Sequence, residues 1–284
     1  MGKLSRSWDL VGKSFGILLS DKELLYLPIA SGIACLCVSV MILAGYALAF
    51  PSQITAFAAT SGTRHLPITQ GMWACLFFFY LANYFIVVFF NVALVASASD
   101  RLAGGTATIN YGLQIAWQRK GKIFQWAILA ATVGILLNAL EQRLGWLGRL
   151  VTRLIGVAWT LATFFVVPLL AAEDIGPAEA LARSAEIFTE TWGEQLIGGF
   201  SFGLIFVLLA VPGIALPFLL GRAFGSTGVL AGAILMILYW LLLSIVSAAV
   251  QGIFNAALYR WATTKEVPPT FRLSDFSTAW QPKQ

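Results

Sequence analysis

Residues 229–257 read VLAGAILMILYWLLLSIVSAAVQGIFNAA, a run without a single charged side chain. A helix needs about 20 apolar residues to cross the hydrocarbon core of a bilayer, so this run is long enough to span it. Backbone N–H and C=O groups in lipid have no water to bond, and a helix pairs them within one segment. The stretch therefore predicts a transmembrane helix, and it indicates the fold class of the whole chain.

Further apolar runs of the same kind precede this stretch along the chain. Together they give six predicted spans: Leu24–Phe50, Gly71–Ser97, Ile123–Leu140, Val151–Ala171, Leu196–Leu220 and Val229–Ala257. The runs lack the short alternating pattern of barrel strands. We predict an all-α membrane protein with one six-span domain over residues 1–262. Residues 263–284 contain scattered prolines and charges and are expected to form an irregular cytoplasmic tail.

The composition of the chain agrees with a membrane domain. Apolar residues make up 59% of the chain, charged residues only 11%, and the mean hydropathy is +0.82. A soluble domain has about 25% charged residues. A chain with so few charges cannot cover a globular surface with them, so lipid must face much of it. The first run is longer than the core of a signal peptide, so we interpret it as a span.

The 18 Lys and Arg residues are distributed unevenly between the two predicted sides of the membrane. With both termini inside, 13 of them lie inside and 5 outside. The positive-inside rule therefore predicts that both termini are cytoplasmic. The sequence pI near 9.2 follows from this bias, so we do not interpret it as nucleic-acid binding. We expect a multi-pass protein of a prokaryotic cytoplasmic (inner) membrane, with lipid as its surroundings.

Three amphipathic segments precede successive pairs of spans on the predicted inside: Leu4–Ser20, Thr108–Arg119 and Pro177–Thr191. Lys13-Ser14 in the first segment matches Arg183-Ser184 in the third. The chain therefore resembles three pseudo-repeated units, each an amphipathic cytoplasmic helix followed by a helical hairpin. Such helices lie at the level of the lipid headgroups. They either fill the gaps beneath the bundle or dock a partner or sense lipid.

Polar side chains recur on single faces of the even-numbered spans. The candidate residues for a polar path or for interhelical contacts are Tyr80, Asn83, Asn91, Thr163, Ser244, Ser247, Gln251 and Asn255. A primary amide in lipid is costly unless it is paired, so we expect these faces to be turned toward the protein interior. They either form hydrogen bonds between helices, worth about 0.6 kcal/mol each, or line a path for a small solute. Ionisable residues, which mark such paths more strongly, are rare in the spans away from their ends.

Side chains suited to catalysis or metal binding are sparse. Cys35 and Cys37 are two residues apart on a predicted helix and point about 200° apart, so they cannot hold one metal ion together. The single histidine, His65, lies in the first outside loop, which excludes a histidine-based metal site within one chain. We predict no catalytic residue, no metal, no cofactor and no enzyme activity.

The loop between the fourth and fifth predicted spans is acidic. It carries one arginine, Arg183, beside six carboxylates: Glu173, Asp174, Glu179, Glu186, Glu190 and Glu194. The loop between the second and third spans lies on the same predicted side and is basic, with Arg119, Lys120 and Lys122. The acidic face is therefore a solvated helix surface, a contact for a basic partner or a contact for the basic loop itself.

Several short strings carry a resemblance to one family. They include Asp21-Lys22-Glu23-Leu24, the run LATFFVVP ending at Pro168, Glu179-Ala180-Leu181 and Thr191-Trp192-Gly193-Glu194-Gln195. Together they resemble an uncharacterised family of prokaryotic six-span integral membrane proteins. The resemblance covers nearly the whole chain. It implies location and span count, and it brings no activity and no catalytic residue with it.

Two classes of function follow from these patterns. The first is a non-enzymatic membrane scaffold or envelope factor that forms a homo-oligomer or binds a protein partner at its cytoplasmic face. The acidic loop and the amphipathic helices favour this class. The second is a channel or facilitator for a small solute, with a polar path lined by the even-numbered spans. The polar faces of those spans favour the second class.

Overall fold

The structure is a computed structural model that describes residues 3–52, 70–106, 108–143, 145–192 and 201–266. Within these ranges every regular element is a helix, which confirms the all-α prediction for this part of the chain. The predicted outside loop with His65, the start of the fifth predicted span at Leu196, and tail residues 267–284 lie outside the described residues.

The helices are α1 (Lys3–Ser20), α2 (Tyr26–Ala49), α3 (Gln70–Leu102), α4 (Ile109–Gln118), α5 (Lys120–Arg143), α6 (Gly145–Ala162), α7 (Val166–Ala172), α8 (Pro177–Trp192) and α9 (Ser201–Thr264). A short 3-10 helix, Lys22–Leu25, connects α1 to α2. The three predicted amphipathic segments form α1, α4 and α8, with ends within one residue of the prediction. The helix α9 ends at Thr264, close to the predicted start of the tail.

Five stretches of the described chain are long and apolar enough to cross a membrane: Lys22–Ala49, Gly71–Leu102, Lys120–Glu141, Gly148–Ala172 and Phe206–Thr264. The first four correspond to the first four predicted spans. The fifth is 59 residues long. A straight helix of that length would extend about 90 Å, roughly three times the thickness of the hydrocarbon core.

The long helix α9 turns back on itself at Gly225, where the backbone has φ 62° and ψ −143°. Side chains of the second arm bond to carbonyls of the first. Trp240 Nε1 donates to the oxygen of Ala210 at 3.0 Å, and the Tyr239 hydroxyl donates to that of Leu209. The bonded residues precede and follow Gly225 by similar numbers of residues along the chain. The arms 201–224 and 226–264 therefore form an antiparallel hairpin. The predicted loop over 221–228 is therefore corrected to a reversal at one glycine, with helix on both sides.

Two further glycines allow the arms of this hairpin to approach closely. A Cβ atom at Gly232 would lie 2.5 Å from the Cα of Pro217, and one at Gly228 would overlap the carbonyl oxygen of Leu220. Small residues of this kind let helix backbones pack in membranes. Gly228 and Gly232 therefore allow the two arms of the hairpin to pack closely.

Replacing Gly225 by alanine is expected to lower the free energy of unfolding by about 1–2 kcal/mol, because an L side chain is strained at positive φ. Gly45→Ala is the matched control, since a Cβ at Gly45 meets nothing within 4 Å. Titration of the purified protein with SDS, followed by tryptophan fluorescence, measures both changes. Equal stabilities for the two variants would contradict the strained turn.

Buried side chains concentrate at one end of the helices, which we call the packed end. Most of its buried side chains lie within residues 92–98 of α3, 123–127 of α5, 165–171 at α7 and 249–258 of α9, and in α1, α4 and α8 beside them. At the opposite end the helices expose large apolar side chains, among them Leu48, Trp73, Leu154 and Phe218. The fold therefore joins a tightly packed end to a more open apolar end.

The amphipathic helices α1, α4 and α8 all lie at the packed end. The helix α4 packs against α3, α8 packs against α6 and α7, and α1 packs against α9. Each buries small or apolar side chains on one face, such as Leu18, Ala116 and Ala180. Their position brings the basic segment after α4 beside the acidic segment after α7.

Candidate functional site

The fourth predicted span is interrupted by a turn at residues 163–165, which separates α6 from α7. The continuous helix predicted over Val151–Ala171 is corrected here. The physical reason is Pro168, which lacks an N–H and whose ring would collide with the carbonyl of Phe164 in a continuous helix. After the turn, Pro168 occupies the first turn of α7, where the missing N–H costs nothing.

The short helix α7 lies in the core of the packed end. Phe165, Val166, Leu169 and Leu170 are completely inaccessible to solvent, and α7 contacts α3 and α8. The ends of a helix carry backbone groups without partners inside the helix. Because α7 is buried, side chains from other elements must satisfy those groups.

Both ends of α7 receive such side chains. At the start, the buried hydroxyl of Ser184 accepts a hydrogen bond from the backbone N–H of Phe165 at 2.9 Å. At the end, the Arg119 guanidinium donates to the carbonyl oxygens of Leu170 at 2.6 Å and Ala172 at 3.4 Å. A cation at this position also interacts favourably with the helix dipole.

The two carboxylates that follow α7 are paired as well. The Lys122 ammonium lies 2.6 Å from Oδ1 of Asp174 and also donates to the carbonyl oxygen of Asp174. Glu173 pairs with Arg183 at 3.1 Å and accepts a hydrogen bond from the Tyr259 hydroxyl at 2.9 Å. Of the three alternatives for the acidic loop, contact with the basic loop is the one that the structure shows for Asp174.

We call this group the α7 clamp. It consists of Arg119, Lys122, Glu173, Asp174, Arg183, Ser184 and Tyr259. It joins α7 to the start of α5, to α8 and to the last turns of α9. The arrangement fixes the position of a buried, broken helix relative to three neighbours.

The hydrogen bond from Lys122, and then its positive charge, lower the pKa of the Asp174 carboxyl below its ordinary value. A lowered pKa in the folded state contributes stability that is present above the unfolded pKa. That contribution is lost as the pH falls through the lowered pKa. Asp174 is largely exposed, so solvent screens this pair and its contribution is small.

A second ionic contact lies at the same end. Arg101, in the last turn of α3, pairs with Asp21 at 2.8 Å and approaches Glu23 at 3.7 Å. It ties the 3-10 helix before α2 to the end of α3. The packed end is thus held by charge pairs at two places.

The predicted polar residues lie in several different environments. Asn83 of α3 accepts a hydrogen bond from Ser39 of α2 at 3.2 Å and donates to its own helix at Phe79. Tyr80 is exposed, and its ring stacks on that of Tyr84. Asn83 thus makes an interhelical contact of the kind expected for these faces.

The other predicted polar residues lie in α3, in α9 and in the turn before α7. Thr163 lies in the turn before α7 and bonds to the carbonyl of Trp159, and Ser244 is exposed and bonds to that of Leu241. Gln251 is exposed, and Asn91 and Ser247 are half-buried. The side-chain oxygen of Asn255 is buried with no hydrogen-bond partner among the described atoms. The assignment of these residues to a polar path stays a prediction.

None of the residues of the α7 clamp was among the predicted site residues, although some sequence features indicated part of it. Arg119 and Lys122 carry charge opposite to that of Glu173 and Asp174 on the same predicted side, and Pro168 marks the break. Tyr259 gave no such signal, because a tyrosine near the end of an apolar run is common at membrane interfaces.

The fold and the clamp define the class of protein. Helices long and apolar enough to cross a membrane indicate a polytopic helical membrane protein, with an ionic network at its packed end. The chain belongs to the family of unknown function DUF6159, which matches residues 70–268. The resemblance to an uncharacterised family is thereby confirmed. The match includes every residue of the α7 clamp. Comparison with curated proteins and with solved structures gives no match.

Proposed function

We propose that this protein is a non-enzymatic membrane scaffold or envelope factor that presents a fixed acidic helix to a basic protein partner. The observation that carries the proposal is the outer face of α8. Glu179, Glu186 and Glu190 are exposed at spacings that place them on one side of the helix. Ala180 and Ser184 are buried on the other side. The helix thus has one acidic face and one anchored face.

The anchoring of α8 favours recognition over a purely solvated surface. The hydrogen bond between Ser184 and Phe165 and the ion pair between Arg183 and Glu173 hold the helix against the core. A surface fixed before binding loses less conformational freedom when a partner docks. A row of carboxylates also attracts a basic surface and sets its orientation.

We further propose six spans with both termini cytoplasmic, so that the packed end faces the cytoplasm of a prokaryotic cell. The hairpin at Gly225 supports a fifth and a sixth crossing within α9. The excess of Lys and Arg on the predicted inside supports the orientation. The packing supports three repeated units. The helices α4 and α8 each lie against the proposed span that precedes them in the chain, and α1 lies against α9, which contains the last one.

The scaffold proposal is tested by photo-crosslinking in intact cells that express the protein. A photoreactive residue at Glu186 should give a discrete protein adduct, whereas one at Leu48, at the open end, should not. The double change Glu179→Lys with Glu190→Lys should abolish the adduct while folding is retained. No adduct at Glu186, or one unaffected by the charge reversal, would contradict the proposal.

A channel or facilitator for a small solute is the second candidate. It is favoured by the buried side-chain oxygen of Asn255, which has no hydrogen-bond partner among the described atoms, together with half-buried Ser247 on the same arm of α9 and half-buried Asn91 on α3. Solute and ion flux through liposomes that hold the purified protein tests it. Flux that Asn91→Leu and Gln251→Leu abolish, with folding intact, would support a path. Absence of flux across a broad solute panel would contradict it.

A further inference from the structure

A continuous row of aromatic rings crosses α3, α4 and α5 at the packed end. The rings of Phe124 and Phe85 are 5.8 Å apart between centroids, and those of Phe85 and Phe89 are 6.1 Å apart. Phe89 meets Trp117 edge to face at 6.5 Å. The Lys120 ammonium lies 3.9 Å from the centroid of the Trp117 ring. We call the four rings the aromatic row. The Lys120 ammonium lies at the Trp117 end of this row.

The aromatic row follows the long axis of the helices. Phe89 lies one turn closer to the packed end than Phe85 along α3, and Lys120 lies one turn closer than Phe124 along α5. Trp117 is 63% exposed and Phe124 is 45% exposed, whereas Phe85 and Phe89 between them are half-buried against the core. The two ends of the row therefore face outward, and the two middle rings connect them. Ile128, a further turn along α5, continues the exposed apolar surface. The row therefore extends the outer surface of the spans up to Lys120.

The cations around the row differ in direction. Arg119 and Lys122 are directed toward the end of α7, where Arg119 binds two carbonyls and Lys122 pairs with the exposed carboxylate of Asp174. Lys120 is exposed and lies over an indole ring, an arrangement that keeps its charge at the edge of the apolar surface. Tryptophan and lysine are the side chains that anchor helices at the headgroup level. Continuity with the apolar outer surface makes lipid the natural occupant.

We propose that the aromatic row and Lys120 form a binding site for an anionic phospholipid of the membrane leaflet at the packed end. One acyl chain lies along Phe124, Phe85 and Phe89, and the phosphate pairs with the Lys120 ammonium. A headgroup that carries its own cation would be repelled by Lys120, which favours an anionic over a zwitterionic lipid. A juxtamembrane lysine favours anionic lipid by about five-fold. The inference is independent of whether the protein acts as a scaffold or as a channel.

Native mass spectrometry of the detergent-purified protein tests the site with two probes of identical acyl chains, phosphatidylglycerol and phosphatidylcholine. The wild type should retain phosphatidylglycerol about five-fold more than phosphatidylcholine. Lys120→Gln should remove this preference, and Lys120→Arg should keep it. Trp117→Ala should lower the retention of both lipids, because it removes apolar contact and not charge.

Lys22→Gln is the matched control, since Lys22 is an exposed lysine in the 3-10 helix before α2, away from the aromatic row. It should leave the preference unchanged. Thermal unfolding in the same detergent checks that each variant is folded, and Lys120→Met removes the same charge if Lys120→Gln does not fold. A preference that survives in folded Lys120→Gln, or that Lys22→Gln removes equally, would overturn the site.

Discussion

Ser184→Ala is expected to lower the free energy of unfolding by about 1–3 kcal/mol, whereas Ser14→Ala should leave it unchanged or raise it slightly. The two serines follow a basic residue at matching places in α8 and α1, and both are completely buried. The Ser184 hydroxyl accepts the N–H of Phe165, so its removal leaves a buried donor unpaired. The Ser14 hydroxyl is buried with no hydrogen-bond partner among the described atoms, so its removal deletes an unpaired polar group.

SDS titration of the two purified variants beside the wild type measures this difference in sign. The comparison is well matched, because each change deletes one buried oxygen and adds no volume. Equal losses of stability in the two variants would contradict the assigned role of Ser184. In that case the hydroxyl would act only by filling space.

Hydropathy and helical periodicity predicted most of the fold, because both depend on local sequence. The apolar runs predicted where helices long and apolar enough to cross a membrane lie, and the spacing of apolar side chains predicted α1, α4 and α8. Burial of one face of each helix then follows from where those side chains lie. These features can be predicted without knowing which helices pack against each other.

The two corrected features depend on particular backbone contacts. The predicted span over Val151–Ala171 breaks before Pro168 because proline cannot continue the helix, and the break is tolerated in the core because Ser184, from the next helix, accepts the free N–H of Phe165. Without that partner the broken end would be buried unpaired. The turn after the fifth span is reduced to Gly225 because glycines on both arms allow helix to continue up to the reversal. Neither contact follows from hydropathy.

Only part of the α7 clamp could be predicted from the sequence. The opposite charges of the basic and acidic loops indicated contact between the loops as one alternative. The ion pair between Lys122 and Asp174 is such a contact. The use of Arg119 to satisfy the carbonyls of α7 depends on the break in the fourth span. The hydrogen bond from the Tyr259 hydroxyl to Glu173 forms only because the second arm of α9 returns to the packed end. Such contacts between distant segments cannot be read from one segment at a time.

Gly112→Leu is expected to have the largest effect of the substitutions considered, a loss of about 3 kcal/mol in the free energy of unfolding. A Cβ at Gly112 of α4 would overlap the carbonyl oxygen of Ala93 and the hydroxyl of Ser97 in α3. A backbone carbonyl cannot move aside as a flexible side chain does, so α4 must shift away from α3. Gly134→Leu in α5 is the control, because a Cβ there meets nothing within 4 Å.

The displacement of α4 should also reach the α7 clamp. Arg119 directly follows α4, so a shift of that helix withdraws its guanidinium from the carbonyls of Leu170 and Ala172. Arg119→Met removes the same donor without moving α4. Both variants should therefore accelerate amide hydrogen exchange in α7, and Gly134→Leu should not. Because the two changes act through one link, their losses of stability in a double-mutant cycle should sum to more than the loss in the double variant. Strict additivity would show that α4 and α7 are positioned independently, and that the packed end is not a single cooperative unit.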